Sequence, residues 1–279
     1  MTWKALRTLG ATVAVGLGAL VVAPPVSAAS PTATQVAQAS ATSAGAFKAA
    51  HDTDPHLPIS GPHHVAPTSS VSRAAAPNVV CCGGNPPQSL ELGQDQQQQA
   101  TWYYCGAATV SEILGDLNKS LSQSSAASIL QTNTNGTAWS GVYASVPSGY
   151  QTGYPVPDVL NYEISDVWYG PVGLPYTPTS GDTSTYENNM VGDIWDGYPV
   201  AGDAWMAPGG YVLNGWPRPT GSTQYFHWFA VIGYGSSGGT TDYEDSATNQ
   251  FQGHEPPPYT TGFSSPDLVS ILGGRGYVW

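Results

Sequence analysis

Basic side chains are scarce in this chain. Only 7 of its 279 residues are Lys or Arg, against 19 Asp or Glu, for a formal net charge of −12. From residue 77 onward the strong bases are Lys119, Arg218 and Arg275 alone. A nucleic acid or an anionic membrane needs a basic patch to bind, so neither is expected as a partner of the mature chain. Charge of either sign is thin, at 9% of residues, so solubility rests on Gly, Ser, Thr, Asn and Gln, and the net negative charge points to a monomer. Cysteine is scarce too. Three residues, Cys81, Cys82 and Cys105, leave at least one thiol unpaired in an oxidising compartment: either Cys105 pairs with Cys81 or Cys82 as a staple, or it stays free. Long apolar runs are missing beyond the first thirty residues, which excludes a later membrane span. Histidine has no metal-ligand spacing: His51, His56, His63 and His64 fall irregularly in a Pro-rich stretch, and no metal or other cofactor is expected.

The chain divides by composition. Lys4 and Arg7, an apolar run from Leu9 to Val22 and the small residues Val26-Ser27-Ala28 form a secretory signal peptide over 1–28, and the product is expected outside the cell. Residues 29–80 are rich in Ala, Ser, Thr, Pro and Gln without sustained periodicity, and read as a disordered pro-segment or linker. Residues 81–279 read as one domain. Val110, Ile113, Leu114 and Leu117 fall at helical spacing after Cys105, and a second helix is expected over 121–131 with Ser122 or Ser124 as cap. Further helices are read near 157–163 and 183–195, and strands at 198–205, 226–234, 240–246 and 276–279, with a turn at Gly235–Gly239. Helices first and antiparallel strands later make an α+β domain.

Cys105 opens the first of these helices. A thiol there meets unpaired backbone N–H groups and the positive end of the helix dipole, which favour the thiolate. Gln99 stands six residues upstream, within a short loop's reach of the same point, and its amide can donate to an oxyanion. Some 120 residues later His227 heads the apolar strand Phe226-His227-Trp228-Phe229-Ala230-Val231-Ile232-Gly233-Tyr234, a general base for the cysteine. The only other histidine beyond residue 80 is His254, in the turn-like Gly253-His254-Glu255-Pro256-Pro257-Pro258. The imidazole needs an acceptor to orient it. In a hairpin turning near Gly235–Gly239 that acceptor lies toward the far end of the return strand, which favours Asp245 over Asp242 and leaves Asn249 open. Trp102, Tyr104, Trp139 and Trp228 are close enough in sequence to shape a substrate cleft, or equally to fill the core.

Gln99, the run Cys105-Gly106-Ala107-Ala108, the strand from His227 and then Asp245 resemble the C39-like peptidases of the papain-like cysteine protease superfamily over roughly residues 94–250. The order Cys then His, and its spacing, suit that superfamily. The resemblance implies a papain-like fold in which a helix bearing the cysteine packs on an antiparallel sheet bearing His and Asp. It implies hydrolysis of peptide or amide bonds in the cleft between them, on protein or peptide substrates. Gln99 would be the oxyanion donor, Cys105 the nucleophile, His227 the base and Asp245 the orienting acid. Three other readings share these residues: acyl transfer to an amine by the same triad, a non-catalytic binding module, and a disulfide-stapled structural protein.

Overall fold

The strand that carries His227 is the longest among the described residues, and the rest of the described fold is arranged around it. In a computed structural model that describes residues 33–59, 85–251 and 253–279, this strand, β4, runs Tyr225–Gly235 and eight consecutive residues of it are buried. A strand without polar alternation must be covered on both faces. Its neighbours are β3 (Val200–Met206), every residue of which is buried, and β5 (Thr240–Glu244). Together with β2 (Pro171–Gly173), β6 (Tyr259–Ser264) and β7 (Gly276–Val278) they form an antiparallel sheet in the order β2-β7-β3-β4-β5-β6, with β1 (Leu90–Glu91) added against β4. The helix that begins at Cys105, α2 (Cys105–Asp116), packs on β4 and β3. Ten of its residues from Cys105 to Leu114 are buried, so this short helix is a core element held by packing rather than by propensity. The expected α+β arrangement is therefore present, with the cysteine helix laid on an antiparallel sheet.

Helices α3 (Gln123–Leu130) and α4 (Pro155–Glu163) flank α2, and α5 (Ser180–Asp196) and α6 (Ser265–Leu272) pack together and against the sheet. Ser122 caps α3 by accepting from the Ser125 N–H at 3.2 Å. Helix α5 starts three residues earlier than periodicity suggests, because Thr179 and Asp182 form a capping box that supplies both acceptors for the first turn. Between β4 and β5 the chain turns at Ser236–Gly238, and a bulge places Ile232 outside the regular ladder, so that Val231 pairs with Tyr243 and Gly233 with Asp242.

The expectation of disorder after residue 29 fails for residues 33–59. Helix α1 (Ala33–His51) docks on the domain. Ala44 is buried against Trp205 and Ala207, and the Lys48 ammonium donates to the carbonyls of Ser270, Ile271 and Gly273 at 3.0, 3.0 and 2.7 Å. Those carbonyls end α6, where a cation is favoured by unpaired acceptors and by the dipole. Composition weighs only what a segment can bury by itself; here the domain supplies the apolar surface and the acceptors. The signal peptide, Cys81, Cys82, His63 and His64 lie outside the described residues. Among those described, no helix is long and apolar enough to cross a membrane.

Candidate active site

Cys105, His227, Gln99, Trp102, Trp139 and Trp228 share the wall of one cavity of about 510 Å³. Cys105 is a free thiol at the first residue of α2, 8% exposed. Gly106 follows it where a Cβ would fall 2.5 Å from the side chain of Thr137, so the helix start can sit this close to the 137 loop only with glycine there. Burial works to raise the thiol pKa. The His227 hydrogen bond and charge, helped by the backbone N–H groups of Trp228 and Gly106, overcome burial and hold the thiol below its ordinary value.

His227 is 2% exposed, and its Nε2 lies 2.9 Å from Oδ1 of the fully buried Asp245. The angle there falls short of a good hydrogen bond, so the contact is an ion pair first. Because Nε2 faces Asp245, Nδ1 is left to face the thiol. Burial opposes the imidazolium, but the Asp245 charge beside it and the thiolate raise the pKa to about 10. Cys105 lowered and His227 raised describe a thiolate–imidazolium pair.

The position of Asp245 follows from the register. Glu244 pairs with Ala230, so one step beyond β5 lies opposite Phe229, on the face His227 uses. Asp242 pairs with Gly233, six residues along β4 from His227, roughly 20 Å at strand rise. Its Oδ1 instead accepts from the Gly262 N–H. The Asp245 carboxylate is held by three groups: His227, the Ala247 N–H at 2.8 Å and the Trp216 indole N–H at 2.7 Å. Trp216 also lays its ring 4.6 Å from that of His227, which shields the ion pair from water. Nothing in the sequence singles out Trp216, since it comes from a loop 29 residues ahead of Asp245.

Gln99 is buried at 4%. Its Nε2 donates to the Thr101 carbonyl at 3.0 Å, its Oε1 accepts from the Ser246 hydroxyl at 3.2 Å, and its backbone N–H bonds the Ser246 carbonyl. A primary amide has two N–H donors, so one remains for the cavity. Among the expected cleft residues, Trp102 is 68% exposed at the rim, while Trp139 and Trp228 are buried and stacked on each other at 5.7 Å. Tyr104 is not in the cavity wall. It closes the N-terminus of α2 and packs on the core, and its neighbour Tyr103 takes the wall position instead.

Behind the site, Glu112 and Asp116 on α2 face Glu244 on β5. One Glu112 oxygen accepts from the Gln97 N–H at 3.0 Å; the Asp95 N–H points to Asp116 and Glu244, and the Gln96 N–H to Glu244, short of good hydrogen-bond geometry. No three such groups among the described residues are placed to hold a metal ion. Burial first, then repulsion from neighbouring carboxylates (Glu244 beside Glu112 and Asp116, Asp95 beside Glu244), pushes Glu112, Asp116 and Glu244 well above the ordinary carboxylate range. The sign is then fixed. Above about pH 4 the folded chain holds protons that the unfolded chain has lost, so stability falls as pH rises. The raised His227 acts in the same direction, its contribution full below about pH 6.5 and lost as pH rises toward 10. The melting temperature should drop by several degrees between pH 5 and pH 8, and less steeply in Asp116→Asn. A flat or rising profile would show the cluster to be ionised in the folded protein.

Residues 92–261 match the model of the Peptidase_C39 like family. No curated protein matches the chain. Among solved structures, that of xylellain, a cysteine protease from Xylella fastidiosa, is similar with a TM-score of 0.40 and 14% identity, covering 70% of this chain and 85% of that one.

Proposed function

The chain belongs to the peptidase C39-like family of cysteine peptidases, and on that premise we propose that it is a secreted enzyme hydrolysing peptide bonds through Cys105, His227 and Asp245, with Gln99 as oxyanion donor. The observation that carries the reading is the buried chain of contacts from the helix-start thiol through His227 to Asp245, at 2.9 Å in its last link. The thiolate of Cys105 attacks the carbonyl carbon of a peptide in the cavity. The oxyanion takes the free N–H of Gln99 Nε2 and the Cys105 backbone N–H, which as a first-turn donor has no helical acceptor. The His227 imidazolium gives its proton to the leaving amine, and the acyl group stays on sulfur. His227, now neutral, takes a proton from water, the hydroxide attacks the thioester, and the acid departs as the thiolate returns. Asp245 keeps Nε2 engaged so that Nδ1 serves the thiol throughout. The leader at 1–28 supports release from the cell, where a single unpaired thiol is compatible with the compartment.

Gln99→Ala separates the oxyanion role from a structural one. Removal of one such donor costs roughly 10²–10³-fold in kcat, while alkylation of Cys105, which develops no oxyanion, should keep its rate. Equal losses in both would mean that Gln99 serves only to hold Thr101 and Ser246.

A further inference from the structure

Arg275 is the single Arg or Lys among the described residues that line the catalytic cavity. In a chain this poor in bases, a guanidinium only 5% exposed in a cleft wall needs a carboxylate to offset its desolvation. It finds two, and both come from the strap that follows α1. Asp52 receives Arg275 Nη1 on both oxygens at 3.2 Å, and Asp54 Oδ2 lies 3.4 Å from Nε. The residue between them, Thr53, stands in the cavity wall with Cys105 and His227. The cation itself is rigidly held. Its Cζ lies 4.4 Å from the Trp205 ring centroid and 4.9 Å from that of Phe226, and Nη1 also donates to the Gly274 carbonyl at 2.8 Å. A fixed planar fork of this kind is suited to carboxylates.

The strap has further anchors besides Arg275. Thr53, Pro55 and His56 are exposed. Asp52 Oδ2 also accepts from the Tyr176 hydroxyl at 3.1 Å and lies 2.8 Å from His56 Nε2, Pro55 lies over Gly141, and Leu57 packs on the core while its carbonyl accepts from the Tyr154 hydroxyl at 2.6 Å. Both the strap and Arg275 lie outside residues 92–261, the part of the chain that matches the family. One other carboxyl is near, that of Asp203 in the cavity wall. Burial pushes it well above the ordinary range despite the Arg275 charge, and it makes no ion pair with Arg275, which is paired with the strap instead.

We propose that Arg275 is the acid-recognising residue of the substrate cleft, that the enzyme selects peptides with an Asp or Glu side chain close to the scissile bond, and that Asp52 and Asp54 occupy that side chain's place. This rests on the reading of Cys105 and His227 as the catalytic pair. The two strap carboxylates are side-chain carboxylates of internal residues, which is why the ligand is an internal acidic residue rather than a chain terminus.

The test uses the full chain with Asp52→Asn and Asp54→Asn together, near-isosteric changes that remove the competing charges. Two C-terminally amidated peptides differing only in Glu or Gln beside the scissile bond are compared. A charge-assisted contact to the fixed fork corresponds to roughly 10- to 100-fold. The expected kcat/KM is therefore at least tenfold higher for the Glu peptide, and higher than in the wild-type chain. Adding Arg275→Gln should bring the ratio close to one, chiefly through KM, and Arg275→Lys should restore part of it. Binding is read independently of turnover by adding Cys105→Ala to the strap double variant and titrating the same peptides, with a tenfold tighter Kd for the Glu peptide. Equal affinity for the two peptides, or a preference that survives Arg275→Gln, overturns the proposal. Tighter Glu binding without hydrolysis of either peptide by the Cys105-intact protein would instead sink the catalytic reading and leave the acid site standing.

Discussion

Replacing His227 by alanine should lower kcat for peptide hydrolysis by about 10⁴-fold or more while the protein stays folded. The size follows from the two roles the imidazole fills: it holds the proton that keeps Cys105 as thiolate and delivers it to the leaving amine. In nucleophile–base pairs the loss of either member removes most of the chemistry, leaving what the oxyanion donors and binding supply. Folding should survive for a specific reason. The Asp245 carboxylate left behind is still held by the Trp216 indole and the Ala247 N–H, which offsets part of the about 3–5 kcal/mol that loss of its imidazolium partner costs. The void left under Trp216 should cost no more than a few kcal/mol. Activity within tenfold of wild type would exclude His227 as the base.

Asp245→Ala should have the next largest effect and Asp242→Ala almost none. Without Asp245 the larger of the two forces that raise His227 disappears, leaving only the weaker pull of Cys105 against burial. The imidazolium is lost, the thiol is protonated near neutral pH, and kcat should fall by about 10²–10⁴-fold. Stability should fall as well, because Trp216 Nε1 and the Ala247 N–H are left buried without acceptors, at about 1–3 kcal/mol each. Asp242→Ala removes one acceptor from the Gly262 N–H, for about 1 kcal/mol, and should leave kcat within twofold. Thermal melts alongside kinetics separate the two variants. A reversal of their effects on kcat would mean that the register of the hairpin is not what orients His227.

The elements that carry this site are readable because their signals are local. Val110, Ile113 and Leu114 mark α2 by period, and the unbroken apolar run after His227 marks a strand covered on both sides. The return strand needs long-range information. The bulge at Ile232 shifts the ladder by one, so alternation along 240–246 cannot by itself tell Asp242 from Asp245, whereas distance from the turn can. Periodicity misses the start of α5 although Thr179 and Asp182 have capping-box spacing, and it misses α6 although Ser264, Pro266 and Asp267 form a helix-start signature. Helix α1 is a different case. Its sequence has little apolar periodicity, and its position is set by α6 carbonyls and Trp205, more than 150 residues away. Trp216 and Arg275 are invisible for the same reason: their partners come together only in three dimensions.

The central claim is that Cys105 is poised as a thiolate by His227, and the rate of its alkylation by iodoacetamide as a function of pH tests this most directly. With the thiol lowered by His227, the label should map to Cys105 and react fast well below the ordinary thiol range, with the fast reaction below pH 7 lost in His227→Ala. A profile that rises only near pH 8.5, as for an unperturbed cysteine, and is unchanged by His227→Ala would contradict it.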